Sequence, residues 1–253
     1  MVQPVKEDLY ALDVKKLILR RPQLFGNLGK SQVLFEKAIT RHSVVADALI
    51  FSTNLGVIGI EIKTARDSTK RLNKQLNAYK RVCDFVYVFC HDSQIARVEK
   101  VLDEHHHPNV GLFSYSEYNG EQIVGKLRDS NTSPEYSVYD LLDILWKDEL
   151  RSMANSLTSG FNVEDDEFKQ SMKDAQYAGR KKQSRKKQAN GGSSLMIGHQ
   201  LSISKSLNKP AIIRYIIDLL GLMGAKQLMV DMIVAKVKSP EKVLKFYHFK
   251  GGQ

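Results

Sequence analysis

Cysteine is scarce in this chain: Cys83 and Cys90 are the only two, and neither belongs to a Cys-x-x-Cys pair. If the residues between them form a strand, the two are too far apart to bond and their odd spacing points them to opposite faces, so both are expected as buried free thiols. Long apolar runs are absent as well. No stretch approaches the roughly 20 residues needed to cross a bilayer. The N-terminal "MVQPVKEDLYALDVKK" has no apolar core of the kind a signal peptide carries. These absences make a cytoplasmic location, without membrane contact, the expectation. No P-loop, Gly-x-Ser-x-Gly or Rossmann fingerprint is present, and no repeat of fixed period.

What is abundant is positive charge. The net charge is +10 over 253 residues, with 42% of residues hydrophobic and 26% charged. That composition suits a globular chain with one substantial core and a polyanionic partner, although charge alone does not separate DNA, RNA and anionic lipid.

Periodicity divides the chain into two lobes. Residues 5–41 read as mostly helical, through "EDLYALDVKKLILRR" and then "KSQVLFEKAITRH" after the turn residues between Gly26 and Gly29. The period then changes. "SVVADALIF" and "VIGIEIKT" read as strands joined by Thr53-Asn54-Leu55-Gly56, a hairpin-like connection. "DSTKRLNKQLNAYKRV" reads as a helix opened by an Asp or Ser cap, "FVYVFC" as a buried strand, "QIARVEKVLDEH" as a helix and "VGLFSYS" as a strand. This order predicts an α/β core with a mixed sheet over residues 1–130. A helical extension is expected over 131–177, where "SVYDLLDILWKDELRSMANSL" reads as one amphipathic helix anchored on the first lobe by Trp146. Residues 178–194 read as a basic, flexible loop or linker. Residues 195–253 read as a helical C-terminal lobe, with two apolar helices broken near Gly224.

Charged residues inside strands need a reason. In "GVIGIEIKTA", Val57, Gly59, Glu61 and Lys63 alternate with Ile58, Ile60 and Ile62, so a carboxylate and an ammonium share one face while the isoleucines enter the core. Asp47 arrives on the partner strand, and its carboxylate converges on that of Glu61. Two carboxylates and a backbone carbonyl make a partial shell for Mg²⁺, which retains water and phosphate oxygens at its other positions. An adjacent lysine can orient the attacking water and stabilise charge on a phosphate. The plain alternative is a solvated sheet face with a surface ion pair.

An acid on one strand followed by Glu-x-Lys on the next resembles the PD-(D/E)xK nuclease superfamily. Asp47 and Glu61-Ile62-Lys63 carry the resemblance; Ala46 stands where the literal pattern has proline. The following helix is similar to a group of bacterial and phage members with Asp-x-x-x-Arg-Leu-x-x-Gln-Leu-x-x-Tyr, matched by Asp67, Arg71, Leu72, Gln75, Leu76 and Tyr79. The likeness spans roughly residues 30–118, with a weaker echo at 139–150.

The resemblance implies a restriction-endonuclease-like core, its central sheet flanked by helices, that hydrolyses DNA with Mg²⁺ or Mn²⁺ in phage or bacterial DNA processing or defence. Asp47, Glu61 and the Ile62 carbonyl would hold the metal, with Glu36 as a further acid from the preceding helix. Lys63 would position the nucleophilic water, and Gln75 would sit at the edge of the site. Arg66, Lys70, Arg71 and Lys74 would hold phosphates, unless they form a merely solvated face. The run Arg180, Lys181, Lys182, Arg185, Lys186 and Lys187 reads as a solvated loop or as a nonspecific phosphate binder. A homodimer is compatible with the superfamily, and the setting would be the cytoplasm of a bacterial or phage-infected cell. A different class also fits: a nuclease-fold protein that binds nucleic acid or a protein partner without cutting. The triplet His105–His107 reads as a surface turn, because three adjacent histidines do not readily share one ion.

Overall fold

The computed structural model describes residues 11–40, 43–158 and 207–235. Six strands form one mixed sheet in sequential order: β1 (Ser31–Ile39), β2 (Val44–Ser52), β3 (Gly56–Lys63), β4 (Phe85–His91), β5 (Val110–Tyr118) and β6 (Glu121–Arg128). β1, β2 and β3 pair antiparallel, β3, β4 and β5 parallel, and β5 and β6 antiparallel. Parallel neighbours need a crossover, supplied here by α2 (Leu72–Val82) between β3 and β4 and by α3 (Ile95–Glu104) between β4 and β5. Both crossovers advance in the same direction along the sheet, so their common handedness sets α2 and α3 on one face.

The opposite face is covered by α1 (Ala11–Arg20). Its Val14, Leu17 and Ile18 join Phe25, Ile50, Ile58, Ile60, Ile62, Tyr87, Phe89, Phe113 and Tyr115 in one buried cluster. The isoleucines of β3 therefore enter the core, as their alternation predicts. On the α2 face, Leu49, Val57 and Val88 pack under Leu72, Leu76, Tyr79 and Val82, all fully buried. Cys83 and Cys90 are buried free thiols, as expected.

The chain divides into two compact units, Met1–Ile144 with Ile233–Ala235 and Leu145–Met232 with Lys236–Gln253. The first holds the whole sheet and ends in α4 (Val138–Leu142), capped by Ser137, whose side chain accepts from the Asp140 N–H. In the second, α5 (Lys147–Thr158) buries Leu150, Met153, Ala154 and Leu157 at helical spacing. The long α6 (Lys209–Val234) is interrupted at Gly221, whose φ of 68° suits a residue without Cβ. Among the described residues no helix is long and apolar enough to cross a membrane.

Several elements differ from the sequence reading. "KSQVLFEKAITRH" is not a helix but holds β1, and β6 has no counterpart in that reading. The single helix expected over 137–157 is two, because the chain leaves helical geometry between Leu142 and Lys147. Trp146, in that break, is 63% exposed and so is not a buried anchor. The C-terminal break falls at Gly221 rather than Gly224. The basic loop at 178–194 lies outside the described residues.

Candidate active site

The first acid and the Glu-x-Lys pair meet where the hairpin of β2 and β3 opens. The two strands pair from Ser52 and Gly56 up to Ala48 and Ile60, and the regular ladder stops there. Beyond it, Asp47 turns its carboxylate to the backbone: Oδ2 accepts from the Ile62 N–H at 2.8 Å. In the gap stands the hydroxyl of Tyr79 from α2, which accepts from the Asp47 N–H (2.8 Å) and donates to the Ile60 carbonyl (3.0 Å). One phenol thus satisfies two backbone groups that the opened ladder would leave unpaired. Gly59 makes room for it: a Cβ there would lie 2.4 Å from Tyr79 Cδ1 and 2.7 Å from Cys83 Sγ.

Glu61 and Lys63 lie on the α2 face of β3, both buried. Lys63 Nζ donates to Glu61 Oε1 at 2.6 Å and to Gln75 Oε1 at 3.0 Å. Glu61 Oε2 is buried and has no hydrogen-bond partner within bonding geometry among the described residues. Burial, followed by the neighbouring Asp47 charge, pushes the Glu61 carboxyl up to about 7, against the pull of Lys63 and, more weakly, of the nearby Tyr79 hydroxyl, which is committed to the Ile60 carbonyl. Asp47 is raised as well, chiefly by burial, while the Ile62 N–H and Lys63 draw it down. The Tyr79 phenol is driven well above its ordinary value by burial and by both carboxylates, so it stays a neutral donor.

Glu36 is placed differently from the expectation. It sits on β1, not on a helix, with a φ of 52°, and it interrupts the pairing between Phe35–Ala48 and Lys37–Ala46, directly across from Asp47. Its side chain is 60% exposed and ion-paired with Lys15 of α1. Glu36 and Lys15 still act on Asp47 through space, the first raising and the second lowering its pKa. Sequence reasoning missed Lys15: it lies on a different element, and nothing in the pattern of α1 distinguishes it from the adjacent Lys16.

Asp47, Glu61, Lys63 and Gln75 are therefore brought together, and Glu36 lies beside them with its carboxylate engaged. The backbone N–H and carbonyl of a strand residue face the same neighbour, so the Ile62 carbonyl shares the Asp47 side of β3. Arg66, Lys70, Arg71 and Lys74 are exposed on the connection after Lys63 and on the start of α2. Asp67 does not cap α2; its Oδ2 accepts from the Thr64 N–H and hydroxyl, closing a turn directly after Lys63. The six basic residues from Arg180 to Lys187 lie outside the described residues. In the histidine triplet, His105 and His106 are exposed but His107 is buried against Asn73 (Nε2 to Oδ1, 3.0 Å), and burial lowers it to about 4.

Among the described residues no group of three or more His, Cys, Asp or Glu side chains is arranged to hold a metal ion. Asp47 and Glu61 are two carboxylates. A small hard cation that keeps several waters needs only one or two, and the unpartnered Glu61 Oε2 is an oxygen suited to it. The donor set fits Mg²⁺ or Mn²⁺.

Comparison with known proteins gives two matches. A family model described as "Bacteriophage P4 protein cII" matches residues 6–191, the greater part of the chain. No curated protein sequence matches. Among solved structures, the SPO1766 protein of unknown function from Silicibacter pomeroyi is similar, with 13% identity over 52% of this chain and 74% of that one and a TM-score of 0.32.

Proposed function

We propose that this chain, which belongs to the bacteriophage P4 protein cII family, is a Mg²⁺- or Mn²⁺-dependent deoxyribonuclease built on a restriction-endonuclease-like core. The observation that carries the reading is the convergence of Asp47, Glu61, Lys63 and Gln75 at the opened end of the β2–β3 hairpin, with one Glu61 oxygen buried and unpartnered among the described residues. Asp47, Glu61 and the Ile62 carbonyl would hold the ion, which when bound supplies Lewis-acid polarisation of a phosphate oxygen and a more acidic water.

The chain's own groups do the rest. Lys63, held from one side by Glu61 and from the other by Gln75, keeps its ammonium at a fixed place where it neutralises charge gathering on the phosphate and orients water. Burial of the pair strengthens that effect, because fewer waters screen it. Tyr79 keeps the hairpin open and Asp47 turned toward Ile62. Arg66, Lys70, Arg71 and Lys74 grip the phosphates flanking the scissile bond. Membership in a bacteriophage P4 protein family supports the phage setting of this reading.

Lys63→Ala tests the assignment: metal-dependent cleavage is expected to disappear while DNA binding in EDTA persists, and undiminished cleavage by a folded variant would sink it. A second reading, a nuclease-fold binder that does not cut, is favoured by one observation. Among the described residues only two carboxylates meet at the site, and one of them is already paired with Lys63. A binder holds DNA equally in EDTA and in Mg²⁺ and yields no product in either.

A further inference from the structure

Gln94 lies between β4 and α3, 1% exposed, and faces the connection that runs from Lys63 to α2. Its amide nitrogen donates to two carbonyls of that connection, Ala65 at 2.8 Å and Asp67 at 3.1 Å. A primary amide has two N–H donors, and here each meets a separate carbonyl of one loop, as a planar fork. The same loop is tied from within. Asp67 Oδ2 accepts from the Thr64 N–H (2.7 Å) and hydroxyl (2.8 Å), and the Asp67 N–H donates back to the Thr64 carbonyl (3.1 Å).

The other end of the Gln94 amide is unsatisfied: Oε1 is buried with no hydrogen-bond partner among the described residues. A buried acceptor without a partner lowers stability, and an apolar side chain of similar size would fill the space without that penalty. The fork itself is therefore the reason for an amide at this position. What it holds is an eight-residue connection bearing the exposed cations Arg66, Lys70 and Arg71, one end of it joined directly to Lys63.

We propose that Gln94 is a positioning residue for nucleic-acid binding: its amide fork fixes the loop from Thr64 to Arg71 so that Arg66, Lys70 and Arg71 meet the phosphates of the strand seated at Lys63. The inference rests on the reading of the site as a nuclease. Gln94 touches neither the substrate nor the reacting atoms; it acts through the loop.

The test uses the full chain and labelled single-stranded and duplex DNA. Affinity is measured in EDTA at several salt concentrations, and cleavage in Mg²⁺, for the wild type, Gln94→Leu, the triple variant Arg66→Ala/Lys70→Ala/Arg71→Ala, and the two combined. Gln94→Leu is expected to weaken binding about tenfold near 0.1 M salt and to flatten the dependence of log Kd on log salt by about two phosphate contacts. KM should rise with kcat little changed, and the combined variant should bind no more weakly than the triple variant, because both act through the same cations. Binding with wild-type affinity and salt slope, or a full additive loss in the combined variant, overturns the proposal. If Gln94→Leu does not fold, Asp67→Ala, which removes the internal tie, must produce the same KM and salt-slope change or the proposal fails. A wild type that neither binds nor cuts DNA overturns the nuclease reading as well, whereas a cutting wild type with an unaltered Gln94→Leu overturns only this one.

Discussion

Lys63 and Glu61 form a buried ion pair of 2.6 Å on one strand, with side chains 7% and 1% exposed. Removing one partner of such a pair leaves an uncompensated buried charge. Lys63→Ala is expected to destabilise the fold by about 3 kcal/mol at pH 8, at the low end for broken buried pairs. The loss should shrink at pH 5, where Glu61 takes up a proton. Lys63→Met/Glu61→Gln, which removes both charges, should recover most of the stability. Urea unfolding at the two pH values measures this, and equal losses at both would contradict it.

Gly59 and Tyr79 give a second prediction. Because a Cβ at position 59 would collide with the Tyr79 ring and the Cys83 sulfur, Gly59→Ala must displace the phenol that bridges Asp47 and Ile60. A loss of about 2 kcal/mol is expected from overpacking, together with loss of cleavage out of proportion to the unfolded fraction. A variant of wild-type stability with full activity would show that Tyr79 does not hold the hairpin open.

Two buried groups set opposite pH dependences. Glu61 is raised from 4.5 to about 7, so between those values the folded chain binds more protons than the unfolded one, and stability falls as pH rises. His107 is lowered from 6.5 to about 4, so between about 4 and 6.5 the unfolded chain binds more, and stability is lost as pH falls. The windows overlap and partly cancel in the wild type. In EDTA, the melting temperature of Glu61→Gln relative to wild type should therefore climb from pH 4.5 to pH 7, and that of His107→Gln should climb as pH drops from 6.5 to 4. Curves parallel to wild type would reject the corresponding assignment.

Metal gives the matching prediction. Mg²⁺ or Mn²⁺ at the Asp47–Glu61 pair should raise the melting temperature at pH 8, where both carboxylates are ionised, and the rise should fade toward pH 5 as Glu61 protonates. Glu61→Gln should abolish it. A metal-induced rise of equal size in Glu61→Gln would place the ion elsewhere.

The central strands were legible because both faces of each impose a pattern. β3 alternates isoleucine with Val57, Gly59, Glu61 and Lys63, and the structure seats the two sets on opposite faces. The edge strands were not. β1 carries Val33, Leu34 and Ala38 at spacings that mimic a helix, and Glu36 breaks its alternation with a positive φ. β6 has only Ile123, Val124 and Leu127 to pack, two of them exposed, so no buried face marks it as a strand. The convergence of Asp47, Glu61 and Lys63 followed from strand parity, whereas the place of Gln75 at its edge came only from the resemblance of the helix after Glu-x-Lys. The Tyr79 bridge and the Lys15–Glu36 pair followed from neither, since each joins elements whose approach depends on packing between layers.

The most direct measurement is cleavage of supercoiled plasmid and of labelled single-stranded DNA by the purified chain in Mg²⁺, in Mn²⁺ and in EDTA, with Glu61→Gln alongside. Product is expected only with metal and only from the wild type. Binding that weakens with salt in both proteins, with no product in any condition, would contradict the nuclease reading and leave a nucleic-acid binder in its place.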